Sequence, residues 1–457
     1  MKKMLAFLLI ITAILPIFTS CTQMADTSDD TEDTGYVEPD VTKVPNYIPD
    51  ADFDPYHDEY GFVIFAPGDY LTDRKFDTDE YLPGYDANNA FIVPGNPSNG
   101  GICSNDDMIY YFCGVPADLI NGKKAYTILM YRDKTTGESG PLCRKAECDH
   151  SDSSCDAYFT TSTSDLRGLF MYNGKIHWST STNVNRINPD SGEKEKVLTV
   201  PKGMFPEYNV NSVEAAVPHR GYIYYAGKSS TLSGGVYKYS LKISAEPIDG
   251  GDDGITILER EASSYTACNL RFVGNYVYIM ISDYLLTGDA EVNSIELYRW
   301  DSKTRKAEML YTFTDGWTDN GEDVWIDELG WFVIPGDGIY IVKGSYTHGE
   351  HYSLVKFRQG LCKYSFASRE LEEVTWLKDN YSVMPFLSDD RVYASSSESI
   401  GMFDLNGNLV GEAADNVWWG GAFAGADSDF MYFASPSYGY ITVPFDGGEI
   451  LVLDEGE

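Results

Sequence analysis

Three cysteines and one histidine in a short segment are the residues of this sequence best suited to chemistry. Cys143, Cys148, His150 and Cys155 follow the spacing C-x4-C-x-H-x4-C. Thiolate and imidazole groups are favoured ligands of Zn²⁺, and four of them complete the tetrahedron of a closed structural site. The segment is therefore compatible with a structural zinc site, although its spacing differs from the CxxC pairs of common zinc fingers, and no other cofactor is predicted.

Disulfide bonding is the alternative interpretation of these cysteines, and it suits an exported protein. Three cysteines cannot all pair among themselves, so Cys103 or Cys113 would supply a partner. Free thiols are also compatible with the spacing. Cys268 and Cys362 stand alone and are expected to be small buried apolar residues. In each case we expect the segment to have a structural role, in which it cross-links a long loop between the first two repeat units.

The sequence contains no motif that predicts catalysis. It has no G-x-S-x-G elbow and no G-x-x-x-x-G-K-[ST] loop, and the pair His348 and His351 lacks the H-E-x-x-H pattern. Aspartates recur in the turns before strands, where Asp is a common turn residue, although a convergent pair could support glycoside hydrolysis. These aspartates are Asp106, Asp107, Asp337, Asp389, Asp390 and Asp429. We therefore predict no catalytic residues.

Five tryptophans in predicted loops are candidate ligand-binding residues. They are Trp317, Trp325, Trp331, Trp418 and Trp419. Exposed aromatic rings form platforms for sugars or proteins. The alternative is that these rings fill space between repeat units, because tryptophan is usually mostly buried.

A recurring stretch must position all of these residues. It is a polar or glycine turn followed by a short β-rich run, usually with a central tyrosine, as in Gly221-Tyr222-Ile223-Tyr224-Tyr225. Gly, Asn and Asp suit turns, and aromatic and β-branched residues suit strands. The runs of the seven copies begin at Met108, Lys175, Tyr222, Tyr276, Ile339, Arg391 and Phe430.

The repeats predict an all-β protein of the β-propeller class. Units of about 40–50 residues with several short strands are typical of propeller blades. The tyrosine runs are apolar on both faces, as expected for strands covered by neighbouring blades, whereas separate β-sandwiches would alternate more clearly. We interpret each run as the inner strand of one blade. Seven copies predict seven blades, with six or eight as the alternatives. Strands within residues 61–100 are expected to pair with the last blade and close the ring.

The N-terminus predicts export and lipid anchoring. Residues 1–20 have the basic start and apolar run of a signal peptide. Phe18-Thr19-Ser20-Cys21 resembles the lipobox of bacterial lipoproteins, which implies lipidation of Cys21, although Phe18 stands where leucine is usual. Residues 21–60 are acidic and poor in apolar residues, so we expect a disordered tether. Residues 61–457 would form the propeller domain.

The charge of the chain disfavours nucleic acid as a partner. Its net charge is −36, and loss of Lys2 and Lys3 with the signal peptide would make the charge −38. Phosphate backbones are bound chiefly by Lys and Arg, so we expect no nucleic-acid ligand. Beyond the tether the acidic residues are spread through the turns, which is typical of a solvated surface.

The cysteine segment also carries a family resemblance. The runs Thr136–Cys143, Glu147–His150 and Cys155–Tyr158 are similar to a motif in uncharacterised lipoproteins of Gram-positive anaerobes, which contain a domain of unknown function with propeller-like repeats. The resemblance implies an extracytoplasmic lipoprotein with a β-propeller, and it implies no activity.

These observations together predict a binding protein. We expect a membrane-anchored, extracytoplasmic lipoprotein whose propeller binds an extracellular glycan or protein. The alternatives are a glycan-cleaving enzyme that uses carboxylates at the channel mouth, and a non-catalytic subunit of an envelope complex.

Overall fold

A computed structural model describes most of the chain from residue 101 onward. The described ranges are 101–116, 124–159, 166–180, 183–199, 213–233, 236–248, 254–263, 266–287, 290–314, 317–319, 322–334, 336–348, 354–378, 380–388, 391–396, 399–415, 422–427, 429–435, 439–445 and 448–453. Cys21, the predicted tether and the segment 61–100 lie outside them. Within these ranges every regular element is a β-strand, and no helix capable of spanning a membrane is found.

In the described ranges, thirty strands form seven sheets, each from one continuous stretch of chain. Blade 1 contains β1 (Ile102–Ser104), β2 (Met108–Val115), β3 (Tyr126–Asp133), β4 (Ser139–Pro141) and β5 (Tyr158–Phe159). Blade 2 contains β6 (Arg167–Tyr172), β7 (Lys175–Ser179), β8 (Asn183–Ile187) and β9 (Lys194–Thr199). Blade 3 contains β10 (Val213–His219), β11 (Tyr222–Ser233), β12 (Val236–Pro247) and β13 (Ile255–Ala262). Blade 4 contains β14 (Ala267–Val273), β15 (Tyr276–Thr287), β16 (Ala290–Asp301) and β17 (Lys306–Thr314).

The last three sheets follow the same plan. Blade 5 contains β18 (Trp317–Asp319), β19 (Glu322–Ile334), β20 (Gly338–His348), β21 (Leu354–Ser365) and β22 (Leu371–Trp376). Blade 6 contains β23 (Ser382–Ser388), β24 (Arg391–Ser395), β25 (Ser399–Asp404) and β26 (Leu409–Asp415). Blade 7 contains β27 (Ala422–Ala426), β28 (Phe430–Ser435), β29 (Gly439–Pro444) and β30 (Leu451–Val452).

The architecture is a seven-bladed β-propeller, as predicted. The strands of each blade pair antiparallel in sequence order, except that β5 of blade 1 pairs with β3, and in blade 5 the short β18 adds a further edge to β19. The prediction was wrong about the place of the tyrosine runs within each blade. They form β2, β7, β11, β15, β20, β24 and β28, whereas the innermost position belongs to the preceding strands, such as β6, β10 and β14, which contact one another around the ring.

The core of the described propeller is a set of seven apolar clusters, one for each pair of neighbouring blades. The two faces of β11 show how a strand contributes to two of them. Tyr224 packs with blade 4, while Ile223 and Tyr225 pack with blade 2. Successive side chains of a strand point to opposite faces, so a strand between two blades must be apolar on both. This confirms the interpretation of the non-alternating runs.

Side chains of blades 1 and 7 close the ring within the described ranges. The Tyr111 hydroxyl donates a hydrogen bond to the Leu453 carbonyl at 2.8 Å, and Tyr111 packs in one cluster with Tyr432 and Tyr440. The predicted pairing of residues 61–100 with the last blade falls outside the described residues and stays a prediction.

Candidate metal centre and hairpin face

The candidate metal centre lies in a loop that interrupts the outer strand of blade 1. Two strands pair antiparallel with β3. The strand β4 pairs with residues Met130–Arg132 of β3, and β5 pairs with residues Thr127–Ile128 of β3. Between them, the Leu129 N–H donates to the Ala157 carbonyl at 2.9 Å, and the Leu129 carbonyl accepts from the Leu142 N–H at 2.8 Å. One buried residue thus fixes both ends of the loop formed by residues 142–157.

The loop brings the four predicted ligands together. The candidate ligand atoms of Cys143, Cys148, His150 and Cys155 all lie within 4.8 Å of one another. The His150 Nδ1 is 3.2 Å from the Cys155 Sγ. A zinc–sulfur distance of about 2.3 Å implies edges of about 3.8 Å for the ligand tetrahedron. The cluster therefore has the size and donor chemistry to hold a metal ion.

The backbone of the loop turns sharply at the ligands. Glu147 and His150 have φ values of 59° and 54°, in the left-handed region that residues other than glycine seldom adopt. Asp149 and Asp152 stabilise the same stretch by accepting hydrogen bonds from the N–H groups two residues later. Left-handed non-glycine residues often occur at functional sites, and here one of them is a candidate ligand.

The electrostatic environment differs among the thiols. Partial burial opposes ionisation of Cys143, but backbone N–H groups of Lys145 and Asp156 donate to its sulfur and lower the pKa of this thiol. Burial raises the pKa of Cys155. Metal binding requires thiolates and displaces their protons, so coordination would overcome the burial of Cys155.

The structure also shows the state of the other cysteines. Cys143, Cys148 and Cys155 of the cluster, and Cys103 upstream of it, are not joined in disulfide bonds. Cys103, a proposed disulfide partner, is buried in the apolar cluster between blades 1 and 2. Cys268 and Cys362 are buried as well, in agreement with their predicted role as core residues. The segment therefore displays a thiol and imidazole cluster in this structure.

A second feature is the unequal length of the hairpins on one face of the propeller. We call the hairpins β11–β12, β15–β16 and β20–β21, which belong to blades 3, 4 and 5, the tall hairpins. The pairing of β10 with β11 ends at Gly227, so the stretch Lys228–Ser233 rises beyond the first strand of blade 3. At about 3.3 Å per residue this extension is roughly 20 Å long. In blade 4 the corresponding extension is Asp283–Thr287.

Polar contacts join the bases of two tall hairpins. Arg260 of blade 3 forms ion pairs with Glu296 and, at 3.3 Å, with Asp283 of blade 4. Thr266 donates to Asp283 at 2.8 Å, and Lys228 of blade 3 donates to the Thr266 carbonyl at 3.0 Å. These side chains are largely buried. The network fixes the two hairpins relative to each other.

The predicted tryptophan platform divides into three groups. Trp331 is fully buried and stacks against the Arg271 guanidinium, 4.9 Å from the ring centre, so it packs in the core between blades 4 and 5. Trp317 of β18 pairs with Val324 of β19, and Trp325 of β19 pairs with Gly344 of β20. The side chains of Trp317 and Trp325, and Trp418 and Trp419 altogether, lie outside the description. Ligand binding by these four residues stays a prediction.

The aspartates of the turns take part in local structure where the structure describes them. Asp337 accepts hydrogen bonds from Lys363 and Tyr340, both at 2.6 Å. Asp429 accepts from Lys134 at 3.1 Å and is half exposed. Asp389 and Asp390 lie outside the described ranges. These contacts agree with the interpretation of the aspartates as turn residues.

Sequence reasoning missed the tall hairpins. A signal for two of them was present, because Gly234-Gly235 and Gly288-Asp289 are two-residue turn sequences flanked by strand-forming residues. The contacts at their bases had no comparable signal, because Arg260 and Glu296 belong to different blades.

Comparisons with known proteins find matches among solved structures alone. No family model matches the chain, and no curated protein matches it. Among solved structures, an acylaminoacyl peptidase in complex with Z-Gly-Gly-Phe-chloromethyl ketone has a TM-score of 0.41 at 12% identity, covering 80% of this chain and 53% of that one. The dipeptidyl peptidase 4 of Porphyromonas gingivalis has a TM-score of 0.32 at 11% identity, covering 86% and 56%. The chain thus spans about half the length of these peptidases.

A designed protein is similar over its whole length. The computationally designed Ika8 protein has a TM-score of 0.35 at 9% identity, covering 80% of this chain and 99% of that one. At these identities the similarity concerns the fold alone. The sheet topology of the described residues defines the class of this protein as the β-propellers, with a Cys₃His cluster in the first blade.

Proposed function

We propose that this protein is a lipid-anchored, extracytoplasmic binding propeller that holds a structural zinc ion in blade 1 and binds an extracellular glycan or protein. The tall hairpins are the observation that carries the binding role. They stand side by side on one face, and largely buried polar contacts join the bases of the hairpins of blades 3 and 4. A rigid, raised surface binds a large partner with little loss of conformational entropy.

The exposed side chains support the same face as the binding surface. Leu232, in the extension of β11, is 63% exposed, and it is the most exposed of the large apolar side chains in the described ranges. Apolar residues on a raised strand are suited to contact with a partner rather than to core packing.

The zinc ion is proposed from the donor set and its geometry. Three thiols and one imidazole within a 4.8 Å cluster match a closed tetrahedral site. When bound, the ion supplies structural cross-linking and no reaction chemistry, because all four positions would be taken by Cys143, Cys148, His150 and Cys155.

Thermal unfolding of residues 22–457 with a panel of oligosaccharides tests the binding role. A ligand at 100 times its Kd adds about 2.7 kcal/mol of stability, enough to raise Tm by several degrees. We expect Leu232→Ser to remove the shift caused by an active sugar. Leu409→Ser is the matched control, because Leu409 is also exposed, at 41%, but lies on β26 of blade 6.

A photo-crosslinking amino acid at position 232 tests the protein alternative in intact envelopes. We expect one discrete adduct from position 232 and none from position 409. If no sugar raises Tm and neither position forms an adduct, the proposal that the tall hairpins bind a partner is wrong.

Substitution of Cys21 tests the anchor. We expect the full chain, expressed in a bacterial host, to incorporate a labelled fatty acid and to sediment with membranes, and Cys21→Ala to lose both properties. One acyl chain alone binds membranes weakly, so stable sedimentation requires the multiple chains of a lipoprotein anchor. Label incorporation by the Cys21→Ala variant would contradict this assignment.

A further inference from the structure

The loop of the metal centre contacts the second blade as well as its own. The Arg144 Nη2 donates to the Pro189 carbonyl at 3.2 Å, and Arg144 lies 3.9 Å from the Asp190 carboxylate. Pro189 and Asp190 belong to the turn between β8 and β9 of blade 2. A residue directly after the first ligand therefore reaches the neighbouring blade.

Lys194 makes the reciprocal contact from blade 2. Its Nζ donates to the Tyr158 carbonyl at 2.8 Å and lies 4.1 Å from the centre of the Phe159 ring. Tyr158 and Phe159 form β5, which resumes the outer strand immediately after the loop. Phe159 also packs edge to face against Trp178 of blade 2, with 5.1 Å between ring centres. Both ends of the loop are thus joined to blade 2.

A close backbone approach completes this interface. Gly192, in the turn of blade 2, has a φ of 71°, and a Cβ at that position would lie 2.8 Å from the Asp156 Oδ2. Asp156 directly follows the ligand Cys155 and forms an ion pair with Lys145 at 3.1 Å. Lys145 also donates a hydrogen bond to the Ser154 carbonyl. The two contacts of Lys145 stabilise the loop on the side that packs against blade 2.

Between its two ends, which are held by Leu129, the loop depends on local contacts for its shape. Its described backbone hydrogen bonds there are short-range turns, such as the Cys148 N–H to the Lys145 carbonyl and the Cys155 N–H to the Asp152 carbonyl. Left-handed backbone at Glu147 and His150 costs conformational energy that some other interaction must offset. Coordination of four side chains by one ion supplies such an interaction, because it cross-links the loop across its full width.

We propose that the metal centre is a clamp between blades 1 and 2, in which coordination shapes the loop of residues 142–157 so that it docks onto the turn and outer strand of blade 2. This proposal rests on the zinc site proposed above. The cation is a thiophilic divalent ion such as Zn²⁺. Three thiolates and one divalent ion give the centre a net charge of about −1. The positive side chains of Arg144 and Lys194 at the interface are electrostatically complementary to it.

Amide hydrogen exchange of residues 22–457, with and without chelator, tests the clamp. Metal content is measured first, and we expect one equivalent per chain. On removal of the metal, exchange should accelerate at least tenfold, or about 1.4 kcal/mol, both in residues 143–157 and in β9 of blade 2. Exchange in β20 of blade 5 should not change, because local opening is confined to the elements that lose contacts.

A variant separates the clamp from the metal site. Lys194→Met keeps the apolar stem over Phe159 but removes the donor to Tyr158. We expect it to retain one equivalent of metal while exchange in β9 becomes fast and insensitive to chelator. Lys238→Met is the control, because Lys238 is an exposed lysine on β12 of blade 3, outside the interface of blades 1 and 2, and it should behave as the wild type.

The outcomes distinguish the two proposals. If the chain binds metal but β9 exchanges at the same rate with and without it, the clamp is wrong and the zinc site stands. If the purified chain binds no metal, both the zinc site and the clamp are wrong.

Discussion

Lys134 of the first blade donates a hydrogen bond to Asp427 of the last blade, with 2.7 Å between Nζ and Oδ2. Both side chains are 8% exposed. Asp427 also accepts from Ser104 at 2.7 Å and from Tyr432 at 2.5 Å. These contacts cross the junction at which the two ends of the described chain meet. A nearly buried ion pair, whose carboxylate accepts further hydrogen bonds, therefore joins blade 1 to blade 7, which are not consecutive in the chain.

Asp427→Asn should destabilise the protein strongly. The change leaves the nearly buried Lys134 charge with only the half-exposed Asp429 as counter-ion, and loss of the buried partner of such a pair costs about 3 kcal/mol. Asp429→Asn is the matched control, because Asp429 contacts the same lysine at 3.1 Å but is 52% exposed, and it should cost about 1 kcal/mol or less. Urea unfolding at neutral pH measures both. Equal losses for the two variants would contradict the role of burial.

The same carboxylate should make stability depend on acidity. Burial by itself raises the pKa of Asp427, but hydrogen bonds from Lys134, Ser104 and Tyr432 outweigh it and hold the pKa below its ordinary value of 3.8. A carboxylate whose pKa is lower in the folded than in the unfolded protein stabilises the fold. This stabilisation is complete at pH values above 3.8, the ordinary pKa, and it is lost as the pH falls through the pKa of the folded state. At pH values below 3.8, we expect the free energy of unfolding to decrease more steeply with falling pH in the wild type than in Asp427→Asn. Parallel curves for the two proteins would show that Asp427 is not responsible.

Cys148→Ser should abolish metal binding. The substitution removes one of four ligands, and serine is a poor replacement for a thiolate in a zinc site. Elemental analysis should find one equivalent of zinc in the wild type and none in the variant. Cobalt substitution adds a spectroscopic test, because tetrahedral thiolate ligation gives intense visible bands. Cys113→Ser, which changes a half-buried cysteine outside the cluster, should retain the metal, and loss of metal in both variants would indicate misfolding.

Gly192→Ala should destabilise the interface of blades 1 and 2 more than a matched change elsewhere. Both Gly192 and Gly174 are left-handed, with φ of 71° and 69°, so alanine costs each about 1 kcal/mol. A Cβ at Gly174 meets no atom within 4 Å, whereas at Gly192 it displaces Asp156 and weakens the Asp156–Lys145 ion pair. We expect Gly192→Ala to cost about 1 kcal/mol more than Gly174→Ala in urea unfolding. Equal costs would mean that the close approach adds nothing.

Arg260→Met should loosen the base of the tall hairpins. Glu296 and Asp283 are each 8% exposed, and loss of the guanidinium leaves both carboxylates without their shared cation. The expected loss is about 3 kcal/mol, with faster amide exchange in β11 and β15. Arg186→Met removes a guanidinium from an ion pair with the more exposed Glu195, and it should cost about 1 kcal/mol or less. A small loss for Arg260→Met would contradict the proposed role of the network.

Local patterns in the sequence determined the class of fold and the candidate metal ligands. Turn residues followed by tyrosine-rich runs recur seven times, and each run became a strand of its own blade. Cys143, Cys148, His150 and Cys155 lie within thirteen residues, so their convergence required only a loop. Both signals depend on neighbours in the chain, which is why they could be read without a structure.

The tertiary structure decided everything that depends on residues distant in sequence. The tyrosine runs proved to be second strands, because first and second strands share the same composition and only contacts around the ring separate them. Trp331 proved to be a core residue, because tryptophan suits both a platform and a core, and the packing of Arg271 determines which occurs. Lys134 and Asp427 lie 293 residues apart and belong to no motif. Their contact exists only because seven blades bring the first and last sheets side by side.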